Sequence, residues 1–196
     1  MEAHMAVVFF AAVFTNNILL TNFLGLCPFL AISKQLRSSL GMGAAVIFVM
    51  STTSVLNWLV YHLILVPLHL EYLMYIAFIV VIAAFVQLVE MIVERVSPLL
   101  YASLGIFLPL ITVNCAILGC SLFMVIRAYT FAQTVGFGIG SGVGWAMAIV
   151  AMAGIRERLE KTGKVIAPLQ GAGIALVIAG LMSMAFLGFS GVVKLQ

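Results

Sequence analysis

The sequence predicts an all-α integral membrane protein: six transmembrane helices in an inverted 3+3 repeat, the first and fourth helices broken, both termini outside. Three observations carry this. First, 65% of the residues are apolar and 8% charged, against roughly 45–50% and 25% in soluble proteins. Second, six apolar segments can be drawn, each near the roughly 20 residues that a bilayer demands. Third, the first and fourth segments are interrupted alike, by Gly, Pro and Asn around a cysteine. A soluble fold of 196 residues could not hide this much apolar surface in one core, so spans are the economical solution.

Segment one, 5–31, runs longer than a signal-peptide core and lacks a basic leader, so it is read as a retained span. It contains Phe23-Leu24-Gly25-Leu26-Cys27-Pro28-Phe29-Leu30, whose glycine and proline break regular helix. Segment two, 41–64, opens on Gly41-Met42-Gly43, and segment three is 73–94. Segment four, 99–125, contains Leu108-Pro109-Leu110-Ile111-Thr112-Val113-Asn114-Cys115-Ala116-Ile117-Leu118-Gly119. Segment five, 133–155, again opens on a glycine pair, Gly136-Phe137-Gly138, and segment six is 169–190. The linkers 33–39, 67–71, 94–98, 127–130 and 156–168 are too short for a second domain. One membrane domain, 1–196, is expected, with pseudo-repeats 1–96 and 97–196.

Three spans per repeat is an odd number, so the second copy must enter the bilayer inverted. Inverted repeats with broken helices place functional groups at the repeat interface. Broken backbone at that depth survives only when buried in protein or lining a cavity. Asn16, Asn17, Thr21, Asn22, Thr112 and Asn114 are expected to satisfy the freed amides.

Lysine and arginine set the orientation. With the N-terminus outside, the inner loops carry Lys34, Arg37, Arg95, Arg156, Arg158, Lys161 and Lys164, and the outer side only Arg127 and Lys194. The formal charge of +3 is therefore an orientation signal and a contact with anionic lipid. Basic residues scattered over short loops exclude nucleic acid as a partner.

Cys27 and Cys115 occupy matching interruptions, which the repeat would bring together across its pseudo-axis. Three cysteines are too few for a disulfide framework, and buried cysteine is commonly packing. Two thiols in the same context nevertheless suggest half of a soft-metal site. A [2Fe–2S] cluster needs four ligands, so another chain must supply the rest or no cluster forms. Cys120, five residues after Cys115, rotates away on a helix and is read as packing.

Glu90 and Gln87, three apart on one helix face, are a candidate cation or proton relay, since an acid within a span is a functional candidate. The alternative is that Glu90 pairs or snorkels beside Glu94 and Arg95 at the cytoplasmic interface. His62 and His69 have a spacing that a metal pair could use, but near an interface they are read as solvated. His4 falls in the terminus. The glycines from Gly136 to Gly144, and Gly171 with Gly173, are read as close-packing positions; a nucleotide loop is excluded because the first run starts a span rather than a strand-to-helix turn.

Thr15-Asn16-Asn17-Ile18-Leu19-Leu20, Phe23-Leu24-Gly25-Leu26-Cys27, Gln87-Leu88-Val89-Glu90-Met91 and the run 104–116 resemble two related membrane proteins. These are the E subunit of the Na⁺-translocating NADH:quinone oxidoreductase (NQR) and the A subunit of the Rnf ferredoxin:NAD⁺ oxidoreductase. The resemblance covers essentially the whole chain. Gly140-Ser141-Gly142-Val143-Gly144-Trp145 with Ala153-Gly154-Ile155-Arg156-Glu157 is more like the former, and Cys27-Pro28-Phe29 with Val66-Pro67-Leu68 more like Rnf. The balance favours the E subunit.

The resemblance implies a homologous six-helix partner of opposite topology, the NQR D subunit or the Rnf E subunit, within a complex of the bacterial inner (cytoplasmic) membrane. Each partner would give two cysteines to a shared intramembrane [2Fe–2S] cluster. Mapped onto this chain, the ligands are Cys27 and Cys115, with Asn114 and Asn22 as candidate donors beside them. Electrons would pass from a cytoplasmic flavin and iron–sulfur subunit to covalent flavin on the outer side, linked to cation export. FMN, FAD, NADH and quinone would bind other subunits, so no catalytic residue and no activity is expected of this chain alone. The competing classes are a small secondary transporter, which broken inverted repeats and an intramembrane acid would also fit, and a purely structural scaffold. Paired thiols separate them, because neither needs soft-metal ligands.

Overall fold

A computed structural model describes residues 5–96, 108–162 and 171–188. These residues are helical, turn or irregular, with no strand among them. Helix α1, Met5–Phe10, runs into a π-helical turn, Ala11–Thr15. Turns then lead to α2, Leu26–Ile32. Helix α3, Leu36–Val60, also ends in a π-helical turn, Tyr61–Leu65. A 3₁₀ turn, Glu71–Leu73, opens α4, Met74–Val96. The second half holds α5 (Leu108–Thr112), α6 (Cys115–Ile126), α7 (Phe131–Thr162) and α8 (Ala172–Leu187).

Four helical stretches are long and apolar enough to cross a membrane: Leu36–Leu65, Glu71–Arg95, Pro109–Ile126 and Phe131–Thr162. Met5–Thr15 and Ala172–Leu187 are shorter apolar helices. The breaks expected in the first and fourth segments are present, at 16–25 and at Val113-Asn114. The start of the fourth segment, 99–107, lies outside the described residues, as do the ends of the sixth and His4.

Two helices overrun the sequence-drawn limits by more than one turn. Helix α3 starts at Leu36 rather than 41 because Ser39 Oγ donates to Gln35 O and Ile32 O, which ties down a turn whose polar composition reads as loop. Helix α7 continues past 155 to Thr162, since Glu157 and Lys161 pair at 2.8 Å one turn apart and charged straight-chain residues are good helix formers. Arg156, a loop residue by the sequence-drawn limits, is therefore inside a helix.

The central seam joins α3 to α7, and the glycines show its direction. A Cβ on Gly43 would lie 3.1 Å from Ala146, one on Gly142 2.9 Å from Ile47 Cα, and one on Gly138 3.4 Å from Ser51 Cα. As α7 advances α3 retreats, so the pair is antiparallel. When Gly41 and Gly43 are aligned with Gly136 and Gly138, Gly43 corresponds to Gly138, Ser51 to Ala146 and Ile47 to Gly142. The contact Gly43–Ala146 is then the counterpart of Ser51–Gly138, and Ile47 meets its own counterpart. Helix α1 lies on α7 and α6 on α3 in the same reciprocal way. On the other face of α7, Gly140 and Gly144 leave room for the backbone of Phe9 and Val13.

The expectation for the last helix is corrected. Gly171 and Gly173 have nothing within 4 Å of an added Cβ among the described residues. Gly171 instead starts α8 at φ +99°, a backbone state that only glycine adopts freely.

Candidate functional site

The two breaks meet. Helix α2 starts after Gly25, which is left-handed at φ +83°, a conformation costing other residues roughly 1–2 kcal/mol. Pro28 follows in the first turn, where a missing N–H removes no helical hydrogen bond. Helix α6 starts after Asn114, whose Oδ1 accepts from Ala116 N at 3.0 Å, a side-chain N-cap. These two starts lie against each other. Gly25 N donates to Cys115 Sγ at 2.9 Å. A Cβ on Gly25 would lie 2.6 Å from Trp145 Nε1, 2.9 Å from Asn114 Oδ1 and 3.0 Å from Ala116 Cβ. Any larger residue is shut out.

Cys27 and Cys115 are both exposed, whereas Cys120 is buried. Each exposed thiol occupies the opening turn of a helix, where backbone amides lack an intrahelical acceptor. Cys120 packs in the core with Ser54 Oγ at 3.5 Å, as its rotation away from Cys115 required. Among the described residues no group of three or more His, Cys, Asp or Glu is placed to hold a metal ion. The described residues thus carry two exposed thiols, fewer than the four donors of a tetrahedral metal site.

Two buried N–H groups beside Gly25, Asn114 Nδ2 and Trp145 Nε1, have no hydrogen-bond partner among the described residues. Unsatisfied buried donors next to an exposed thiol fit a sulfur-rich group better than a purely apolar lid. Trp145 and Gly25 were legible only as letters of a motif; their contact across the breaks was not.

The other sequence candidates are spread out. Asn22 is exposed in the first break, while Asn17 organises that break. Asn17 is fully buried, its Nδ2 donating to Val13 O (3.2 Å) and Gly144 O (2.9 Å), its Oδ1 accepting from Leu19 N and Leu20 N. Ser183 Oγ of α8 donates to Leu20 O at 2.7 Å and ties the same turn down. Glu90 is half-buried and Gln87 exposed on α4. The pairing of Glu90 with Arg95 is not seen: the ion pair among the described residues is Glu157–Lys161. His62 stacks on Trp58 with ring centroids 4.1 Å apart, and His69 is exposed at φ +53°.

A largely apolar helical protein with four helices long enough to cross a bilayer and two broken segments that meet defines a class, that of multi-pass membrane proteins. The chain belongs to the Rnf-Nqr family, described as "Rnf-Nqr subunit, membrane protein", which matches residues 5–193. It is 54% identical over 181 residues to the A subunit of the Na(+)-translocating ferredoxin:NAD(+) oxidoreductase complex of Acetobacterium woodii, covering 92% of this chain and 94% of that one. It is 51% identical over 187 residues to the A subunit of the ion-translocating oxidoreductase complex of Proteus mirabilis, covering 95% and 96%. The A subunit of the same-named complex of Syntrophotalea carbinolica is 50% identical over 190 residues, covering 97% and 98%. All three are A subunits, on the Rnf side of the two resemblances rather than on the side that the balance of motifs favours.

Proposed function

We propose that this chain is the A-type membrane subunit of an ion-translocating oxidoreductase complex and that Cys27 and Cys115 are two of four ligands of a [2Fe–2S] cluster. The remaining two come from a homologous six-helix subunit of opposite topology. The observation that carries this reading is the hydrogen bond from Gly25 N to Cys115 Sγ, which couples the two breaks and leaves both thiols on the surface. When bound, such a cluster supplies a one-electron relay inside the low-dielectric membrane.

The chain's own residues hold and tune that site. Gly25 N supports one sulfur, and Asn114 Nδ2 and Trp145 Nε1 stand ready as further donors. Hydrogen bonds to ligand sulfur favour the more negative state and raise the potential. Asn17 and Ser183 fix the break that carries Cys27. The antiparallel α3–α7 seam supports six spans in an inverted repeat, and the distribution of basic residues supports both termini outside a bacterial inner membrane. FMN, FAD and quinone belong to other subunits.

The test is made on the purified complex. Cys27→Ala and Cys115→Ala each abolish one electron paramagnetic resonance signal and lower iron content, and Cys120→Ala changes neither. Unchanged spectra and iron in both exposed-thiol variants would sink the assignment. A secondary transporter would predict that outcome, because transport asks nothing of the thiols.

A further inference from the structure

Among the described residues Arg156 is a buried cation with no anion paired to it. Its residue surface is only 4% exposed. Its guanidinium donates to Leu30 O at 3.2 Å and Ser33 Oγ at 2.9 Å, both neutral. The chain's six acids are Glu2, Glu71, Glu90, Glu94, Glu157 and Glu160. Among the described residues none of them pairs with Arg156, and the Glu157–Lys161 pair lies on exposed surface. A buried charge is costly unless an opposite charge compensates it.

The other half shows that clamping needs no charge. Ser33 follows Cys27 by the same interval that separates Ser121 from Cys115. Each serine is held by the long helix of the opposite half: Ser33 by Arg156 of α7 at 2.9 Å, Ser121 by Asn57 Nδ2 of α3 at 2.7 Å. A neutral carboxamide suffices on the Cys115 side. On the Cys27 side the equivalent clamp carries a full positive charge. The two acceptors of Arg156, Leu30 and Ser33, lie three and six residues after Cys27, about 5 and about 9 Å of rise along the chain. Across that distance a buried guanidinium is screened less than a solvated one, so its charge is felt at the opening turn of α2.

We infer that Arg156 is a positioning residue that also sets the potential of the centre at Cys27 and Cys115, its guanidinium providing the counter-charge for the thiolate-bound group. This rests on the cluster reading above. Adding one electron makes such a group one unit more negative, so a nearby fixed cation favours the reduced form. Removing the cation shifts the midpoint potential to more negative values.

The experiment is a redox titration of the purified complex followed by electron paramagnetic resonance, with iron content measured on the same samples. Arg156→Gln keeps the iron and shifts the midpoint negative; Arg156→Lys, which keeps the charge, restores most of the wild-type value. Asn57→Ala, which removes the neutral clamp, gives a smaller shift than Arg156→Gln. A wild-type midpoint in Arg156→Gln, or equal shifts in Arg156→Gln and Arg156→Lys, would overturn the inference. So would failure of both Arg156→Gln and Arg156→Met to assemble while Arg156→Lys assembles, since the residue would then be a clamp alone. The cluster reading fails separately, if the titrated signal survives Cys27→Ala and Cys115→Ala.

Discussion

Gly25 N donates to Cys115 Sγ at 2.9 Å, so the break in one half of the chain supplies a hydrogen bond to the thiol in the other. Neither break is complete without its counterpart. A disturbance at one is therefore felt at both.

Gly25→Ala is expected to damage the site without touching a cysteine. The added Cβ falls 2.6 Å from Trp145 Nε1, and the left-handed backbone alone costs roughly 1–2 kcal/mol. Iron content and the thermal midpoint of the purified complex should both drop. Wild-type values of both would show that the crossing tolerates a side chain and would count against its geometry.

Asn17→Ala removes four buried hydrogen bonds, two donated and two accepted. At about 1 kcal/mol net for each, the expected loss is about 2–4 kcal/mol, read as a lower unfolding midpoint in detergent. Asn22→Ala, at an exposed position, should stay within about 0.5 kcal/mol. Equal effects from the two would contradict the assignment of Asn17 as organiser of the break.

Glu90→Gln tests the relay on α4. Glu90 is half-buried on a helix whose spanning part is only 17% buried within the chain, and it has no ion pair among the described residues. Cation-dependent turnover and transport are expected to fall several-fold, with the iron signal intact. Turnover and transport equal to wild type would remove Glu90 from the cation path.

Orientation is tested by labelling with a membrane-impermeant thiol reagent on right-side-out vesicles. Tyr72→Cys, at a position 73% exposed, should react from outside. Glu160→Cys, on the exposed surface near the end of α7, should react only after permeabilisation. The reverse pattern would place the N-terminus inside.

Arg156 illustrates what a one-dimensional reading misses. Counted as a loop cation, it strengthens the orientation bias; in the fold it is buried beneath the helix that carries Cys27. Composition could not separate the two, because an arginine six residues before a helix end and one in a loop have the same letters around them. Asn114 was legible as a polar residue beside a break, and the structure makes it the cap of α6. Asn22 was equally legible and stays exposed. The difference lies in which residue the opposite half covers.

The sequence by itself determined the membrane class, the location of both breaks and the pair of thiols, because hydropathy and backbone preference are properties of single residues and short runs. The repeat pattern also anticipated that the breaks would meet, and helical rotation that Cys120 would pack inside. Only the tertiary structure decided that Gly25 N bonds Cys115 Sγ, that Cys27 and Cys115 stay exposed, and that Trp145 stands against Gly25. Those facts depend on α3 and α7 approaching closely enough through their glycines to bring segments remote in the chain within hydrogen-bonding range.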